Sequence, residues 1–189
     1  MVVFPELFLP GYNQPELHQS LSQTKDRTWE KRLSDLAKQH CCGLTVGWAE
    51  REGDLIYNSA SCFDQTGKKV SHYRKIQLFG PTEKATFQPG NAYSTFELNG
   101  LKTAILICYD VEFANHVPAL KDLGVELLLV PTANPIAFTN VSDTLVPARA
   151  AENGMTIAYA NYSGTENGLE YGGRCLYPKR SNTILRARL

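Results

Sequence analysis

Residues 101–110 of the chain read LKTAILICYD, and this stretch decides the fold. Its middle, residues 104–107, is apolar at every position rather than at every second position. Strands with this pattern are covered on both faces, as they are in the centre of an α/β sheet. We therefore predict a fully covered central strand over residues 101–108, with Cys108 at its end.

The segments on either side alternate between short apolar runs and amphipathic patterns. Asn99-Gly100 is a strong hairpin signal, and it connects a predicted strand at 94–98 to the central strand. Helices are predicted at 24–40, 114–123 and 143–153, and a loop is predicted at 81–91. Further strands are predicted at 2–4, 43–48, 55–63, 68–75, 126–130, 155–161, 170–177 and 183–188. Hairpins mixed with strand–helix–strand units predict a mixed α/β fold, in which helices cover the sheet in a layered sandwich.

The composition is that of a single globular domain spanning residues 1–189. The chain is 43% hydrophobic, which is too much for a disordered protein, and its length is typical of one domain. Its 19 basic and 19 acidic residues cancel, so it lacks the basic excess of nucleic-acid-binding proteins. The apolar runs are too short to span a bilayer, and the N-terminus has no secretion signal. We therefore expect no nucleic-acid partner and no membrane partner.

The cysteines and histidines favour neither a disulfide framework nor a metal site. The chain has five cysteines, an odd number, and no two of them have the CxxC spacing. This usage indicates reduced thiols and a cytoplasmic protein. The four histidines are scattered and no HExxH pattern occurs, so we predict no metal ligands.

Three polar residues follow apolar strands: Glu6, Lys75 and Cys108. The carboxyl ends of parallel strands open onto a shared crevice, which is where α/β proteins bind their ligands. A carboxylate in that crevice can take the proton of a thiol, and an ammonium can stabilise the thiolate or an oxyanion. The pattern therefore predicts a nucleophilic site. In the alternative interpretation, Cys108 is a small core residue and the other two side chains are solvated.

The sequences around these three residues resemble motifs of the nitrilase superfamily of carbon–nitrogen hydrolases. Residues 2–12 (VVFPELFLPGY) resemble its glutamate motif, 73–79 (YRKIQLF) its lysine motif and 105–113 (ILICYDVEF) its cysteine motif, in the same order. Other segments that resemble the family lie at 87–90, 129–134, 148–153 and 171–173. The resemblance covers nearly the whole chain, and it implies a four-layer α-β-β-α sandwich.

The resemblance implies a role for each motif residue. Cys108 would be the nucleophile and Glu6 the general base, while Lys75 and the backbone N–H of Tyr109 would stabilise the tetrahedral intermediate. Many amidases of the family have a second glutamate between the lysine and cysteine motifs, and Glu83 fits that position. Glu83 would then position the substrate or the catalytic lysine; its alternative is a solvated residue in a loop.

Residues beside the motifs are candidates for lining the substrate pocket, namely Tyr12, Tyr109 and Asn134. Asn134 follows a predicted strand, so it either hydrogen-bonds a substrate amide or forms a turn before the next proline. Asp110 and Glu112 flank the nucleophile, and their spacing favours helix-start and packing roles.

The implied reaction is hydrolysis of a non-peptide carbon–nitrogen bond through a thioester on Cys108, without a metal or organic cofactor. Residues 108–110 resemble the amidase and carbamoyl-amide branches, whereas true nitrilases more often have Trp-Glu after the cysteine. We therefore expect a small linear amide or N-carbamoyl compound as substrate, and ammonia or an amine as product. A nitrile substrate is the alternative within the family.

The resemblance also implies structure beyond both ends of this sequence. In the family a strand and a helix precede the glutamate motif, and a tail often used in subunit contacts follows the Gly-Gly segment. We expect a chain without these parts to be an incomplete sandwich, with an exposed sheet edge and reduced stability. The expected assembly is a homodimer or higher homo-oligomer. A catalytically inactive binding or oligomer subunit is the alternative to an enzyme.

Overall fold

The structure is a computed structural model that describes residues 1–173, 175–178 and 184–187. Two β-sheets pack face to face around a shared apolar core, and helices pack on the faces turned away from it. The layers therefore run helix, sheet, sheet, helix. This arrangement confirms the predicted α-β-β-α sandwich.

The first sheet contains four strands, which are β1 (Val2–Val3), β2 (Leu44–Glu52), β3 (Leu55–Phe63) and β4 (Lys69–Arg74). They pair in the order β1-β2-β3-β4, with β1 parallel to β2 and the other pairs antiparallel. A turn at residues 64–67 joins β3 to β4, and the Asp64 carboxylate accepts the backbone N–H groups of Thr66 and Lys68. This hairpin carries the chain to Lys75, directly after β4.

The second sheet contains six strands, which are β5 (Thr95–Leu98), β6 (Leu101–Ile105), β7 (Leu127–Pro131), β8 (Thr156–Ala160), β11 (Cys175–Pro178) and β12 (Ile184–Ala187). Their order is β12-β11-β8-β7-β6-β5, with β6, β7 and β8 parallel at the centre. Every residue of β7 is buried, as expected for an apolar run covered on both faces. A separate hairpin comprises β9 (Ser163–Glu166) and β10 (Leu169–Gly172).

The described residues form five α-helices, which are α1 (Pro15–Leu21), α2 (Thr28–Gln39), α3 (Gly80–Thr86), α4 (His116–Asp122) and α5 (Val146–Glu152). Helix α2 contacts β3 of the first sheet, and α5 contacts β8 of the second sheet. Between the sheets, Ala60 and Tyr73 of the first sheet share one buried cluster with Ile105 and Leu129 of the second. Burial of this apolar surface holds the sheets in a fixed relative position.

Two predicted boundaries in the first half of the chain are wrong. The helix predicted at 24–40 begins at Thr28 instead, because Asp26 has a left-handed backbone (φ 61°) and its N–H donates to the Glu30 carboxylate at 2.6 Å. The loop predicted at 81–91 contains α3, which has Pro81 in its first turn. Proline is favoured there because the first backbone N–H groups of a helix have no intrahelical acceptor.

Two predicted strands in the second half of the chain also differ. The central strand ends at Ile105 rather than at residue 108, because the chain turns into a 3-10 helix over Cys108–Glu112. The single strand predicted at 170–177 is wrong: it consists of β10 and β11, separated at Gly173, whose φ of 60° is left-handed. The strand predicted at 183–188 corresponds to β12, with residues 183 and 188 outside the described residues.

All five cysteines are free thiols, as their odd number predicted. Within the described ranges, no helix is long and apolar enough to cross a membrane. The same part of the chain contains no group of three or more side chains placed to hold a metal ion.

Candidate active site

The structure brings the three predicted residues to one end of the two-sheet core. Glu6 follows β1, Lys75 follows β4, and Cys108 lies beyond the end of β6. Glu6 and Lys75 are fully buried, and Cys108 is 9% exposed to solvent. The alternative in which Glu6 and Lys75 are solvated surface residues is therefore wrong.

Backbone contacts to the second sheet and its following loop fix the position of Glu6. Its N–H donates to the carbonyl of Thr132 at 3.3 Å, and its carbonyl accepts the hydroxyl of Tyr162 at 3.0 Å. On the other side, Gly47 of β2 lies directly against this segment. A Cβ at position 47 would come within 2.6 Å of the Pro5 carbonyl and the Leu7 nitrogen. Only glycine leaves room for the chain that carries Glu6.

The Lys75 ammonium lies between two carboxylates. Its Nζ donates to Glu6 Oε1 at 2.6 Å and to both oxygens of Glu83 at 2.9 Å. Both acidic side chains are buried, so the three charges interact without much screening by water. The arrangement fixes the ammonium within a compact ionic cluster.

Glu83 is 5% exposed and belongs to α3, so its alternative as a solvated loop residue is wrong. Its Oε1 also accepts the Tyr12 hydroxyl at 2.7 Å, and its Oε2 accepts the Phe79 N–H at 2.9 Å. Both carboxylate oxygens are therefore used by donors. Because Glu83 points at Lys75 from the first turn of a helix, it is placed to position the lysine.

Asn58, a residue of β3, completes the surroundings of Glu6. Its Nδ2 donates to Glu6 Oε1 at 2.7 Å, so that oxygen accepts from both Asn58 and Lys75. The other oxygen, Oε2, is buried and has no hydrogen-bond partner among the described residues. Asn58 was not predicted from the sequence. The only local sign of its role is that it is a polar residue in the middle of a predicted strand, and this strand is buried in the structure. The free Oε2 is the oxygen available to receive a proton.

Cys108 begins the 3-10 helix with a left-handed backbone, φ 44°. Asp110 holds this turn in place, because its carboxylate accepts the Ile107 N–H at 2.9 Å and the Tyr73 hydroxyl at 2.9 Å. It also accepts the N–H of Gln77 at 2.7 Å. Asp110 therefore does more than begin the helix. Its carboxylate also connects Tyr73 and Gln77, on either side of Lys75, to the turn at Cys108.

The buried environment changes the pKa values of Glu6, Lys75 and Cys108. Burial raises the pKa of Glu6 to about 7, with the Lys75 charge opposing and the Glu83 charge reinforcing the rise. Burial also raises the pKa of the Cys108 thiol, and the negative charge of Glu6 raises it further. Burial lowers the pKa of Lys75, but the charges of Glu6 and Glu83 outweigh it and the net pKa is raised. The resting site therefore holds a charged lysine, a neutral thiol and a carboxylate poised near neutrality.

A cavity of about 210 Å³ opens above Cys108. The three predicted pocket residues, Tyr12, Tyr109 and Asn134, all contribute to its wall. Glu112, which is half-buried, also lines it. A larger, mainly apolar cavity of about 440 Å³ adjoins it and shares Tyr12 with it.

Asn134 forms the predicted turn, and its hydrogen bond to a substrate amide stays a prediction. Its Nδ2 donates to the Phe138 carbonyl at 2.9 Å, which stabilises the turn after β7. Its backbone N–H and carbonyl pair with the side-chain amide of Asn161 at 2.7 and 3.0 Å. The residue is therefore held rigidly by the turn while it still faces the cavity.

Residues 1–177 match the model of a protein family described as "Carbon-nitrogen hydrolase". The chain is 38% identical over 177 residues to a hydrolase in the pqqF 5' region of Pseudomonas protegens, a match covering 92% of the chain and 62% of that protein. It is 30% identical over 174 residues to an (R)-stereoselective amidase of Pseudomonas sp., covering 92% of the chain and 63% of that protein. The chain thus spans less than two thirds of the length of either relative.

Among solved structures, an amidase from Nesterenkonia sp. AN1 matches with a TM-score of 0.92 and 34% identity. The match covers 98% of this chain and 74% of that chain. In that structure acrylamide has undergone Michael addition at the active-site cysteine, and a variant of the same amidase has been solved in complex with butyramide.

Proposed function

Because this chain belongs to the carbon–nitrogen hydrolase family, we propose that it hydrolyses a small linear amide or N-carbamoyl compound, releasing ammonia or an amine. The observation that carries the proposal is the free Oε2 of Glu6, in a buried cluster with Lys75 and Glu83 whose charges act on the Cys108 thiol. These groups supply a base, an anion-stabilising cation and a nucleophile. No step of the proposed reaction uses a metal or organic cofactor.

The first half of the reaction forms a thioester. Glu6 accepts the proton of the Cys108 thiol while the sulfur attacks the amide carbon, because a buried thiol with a raised pKa is not ionised beforehand. The Lys75 ammonium and the Tyr109 backbone N–H stabilise the oxyanion of the tetrahedral intermediate. Glu6 then gives its proton to the departing nitrogen, and the carbon–nitrogen bond breaks.

The second half of the reaction regenerates the thiol. A water molecule gives a proton to Glu6 as its oxygen attacks the thioester carbon, and Lys75 again faces the oxyanion. Collapse of this second intermediate releases the carboxylic acid, and the Cys108 sulfur regains its proton from Glu6. A base with a pKa of about 7 suits this sequence, since it must accept and return a proton in each half.

An amide is favoured over a nitrile by two observations. Tyr109 and Asp110 follow the nucleophile, as in the amidase and carbamoyl-amide branches that this segment resembles, rather than the Trp-Glu more common in true nitrilases. The amidases described above support an amide, and butyramide binds one of them, although a 32% identical relative from Pyrococcus abyssi is named nitrilase. These relatives support the substrate class, not a particular substrate.

Ammonia release from butyramide, matched against butyronitrile, tests the proposal. We expect release from the amide, its loss in Cys108→Ala, and its retention in Cys42→Ala, a cysteine control away from the cavity. Faster release from the nitrile would favour a nitrilase. A folded protein that releases ammonia from no amide in a broad panel would favour the non-catalytic subunit.

A further inference from the structure

The cavity above Cys108 has the chemistry of a cation-binding site. Four aromatic side chains contribute to its wall, namely Tyr12, Phe79, Tyr109 and Phe138. The Phe79 ring meets the Tyr109 ring edge-on at 5.1 Å and the Phe138 ring edge-on at 5.8 Å. Aromatic faces attract ammonium groups, and this attraction is stronger where water is excluded.

Glu112 adds a carboxylate to this aromatic wall. It lies four residues after Cys108, at the end of the 3-10 helix, and lines the same cavity. Within the described part of the chain, no side chain or backbone group donates a hydrogen bond to its carboxylate, whereas Asp110 is fully used by protein donors. Burial raises the pKa of Glu112, which marks a carboxylate partly removed from water. This carboxylate can therefore accept a hydrogen bond from a ligand in the cavity.

The charges nearby do not provide that partner. The ammonium of Lys75 is taken by Glu6 and Glu83, with all three contacts at 2.9 Å or less. Among the described residues, no lysine or arginine lines this cavity or the apolar cavity beside it. A carboxylate at the end of the acyl chain would be repelled by Glu112, whereas an ammonium there would meet the Glu112 carboxylate and aromatic rings.

We infer that the site selects amides whose acyl chain carries a protonated amino group, with Glu112 and the aromatic rings as the specificity determinant. The inference rests on the proposed amidase function. A volume of about 210 Å³ corresponds to roughly seven waters at about 30 Å³ each, which fits a short amino amide. The amide carbonyl would lie at Cys108 and the ammonium would lie at Glu112.

Binding to the Cys108→Ala variant tests this inference without turnover. β-Alaninamide and butyramide have nearly the same shape, but one ends in an ammonium and the other in a methyl group. By calorimetry, we expect β-alaninamide to bind about tenfold or more tightly than butyramide, as for a charge-assisted hydrogen bond. Succinamate, which ends in a carboxylate, should bind at least about tenfold more weakly than butyramide. Equal affinities for the three ligands would overturn the inference.

Substitution of Glu112 identifies the group responsible. In the same background, Glu112→Gln should reduce the preference for β-alaninamide over butyramide to within about threefold. Glu97→Gln, an exposed glutamate in β5, removes the same charge far from the cavity and should leave the preference intact. A preference that survives Glu112→Gln, or an equal loss for both ligands, would contradict the inference. Should Glu112→Gln fail to fold, the succinamate comparison in the parent variant still decides.

The two proposals fail in different ways. If the protein with Cys108 intact hydrolyses butyramide but the binding preference is absent, the amidase function stands and the role of Glu112 is wrong. If the preference is present but no amide is hydrolysed, the proposed function is wrong and the ligand class stands.

Discussion

Lys75 Nζ lies 2.6 Å from Oε1 of Glu6, and both side chains are fully buried. The attraction between them lowers the pKa of Glu6, but burial has the larger, opposite effect and the net pKa is about 7. The result is a carboxylate that holds and releases a proton near neutral pH. The burial and the charge of this pair therefore set the pH at which Glu6 gains or loses its proton.

The pH profile should report the raised pKa of Glu6. The base must be ionised to accept the thiol proton, so we expect kcat/KM to rise with pH through about 7 and then to level off. Ammonia release across about pH 3.5 to 9 measures this, with thermal unfolding over the same range as the control for stability. A midpoint at the ordinary glutamate value of 4.5 would contradict this assignment.

Glu83→Gln should lower kcat more than it changes KM, because Glu83 holds the ammonium in place. A glutamine offers only one acceptor oxygen, so its amide group would face Lys75, Tyr12 or Phe79 as a second donor. We expect a loss of about tenfold or more in kcat. Tyr12→Phe is the matched comparison: Glu83 keeps its other donors, and kcat should stay within about threefold. Similar effects of the two substitutions on kcat would count against a positioning role.

Asp110→Asn should lower both stability and kcat. The asparagine retains one acceptor oxygen for the three donors that Asp110 now accepts, so at least one buried donor loses its partner. We expect unfolding to become easier by about 1–3 kcal/mol, measured by urea titration. Asp122→Asn, an exposed position at the end of α4, is the matched control and should be neutral. An Asp110→Asn protein as stable and as active as the parent would refute the anchoring role.

Gly47→Ala should disturb Glu6 without touching any charged group. The new Cβ would lie 2.6 Å from the Pro5 carbonyl and 2.8 Å from the Glu6 Cα, so the backbone on one side must shift. We expect a loss of about 1–3 kcal/mol in stability. The activity of the protein that remains folded should also fall, because Glu6 moves relative to Lys75. Full activity per folded molecule would show that this close approach is not needed for the site.

The sequence was sufficient to predict the sheets and the three central residues, because the information is local. Apolar runs marked the buried strands, and Glu6, Lys75 and Cys108 each follow one of them. The carboxyl ends of β6 and β7 then converge by the geometry of parallel pairing. The resemblance added Glu83, which the local pattern alone had placed in a solvated loop.

Contacts between distant segments could not be predicted in this way. Asn58 reaches Glu6 across 52 residues of sequence, and Tyr162 reaches it across 156. Neither has a local pattern that indicates its partner. Helix α3 was missed because it has only seven residues, too few to show a helical period. The position of Glu112 in the cavity wall was not predicted, because nothing in the sequence shows which way its carboxylate points.

Mass spectrometry of the acid-quenched protein during butyramide turnover is the most direct test of the central claim, which is covalent catalysis by Cys108. We predict that the peptide containing Cys108 gains the mass of one butyryl group, and that peptides containing the other cysteines do not. The adduct should be absent in Cys108→Ala, and it should be present in samples quenched while butyramide is still being turned over. Turnover without an adduct on Cys108, combined with activity that survives in Cys108→Ala, would contradict the account.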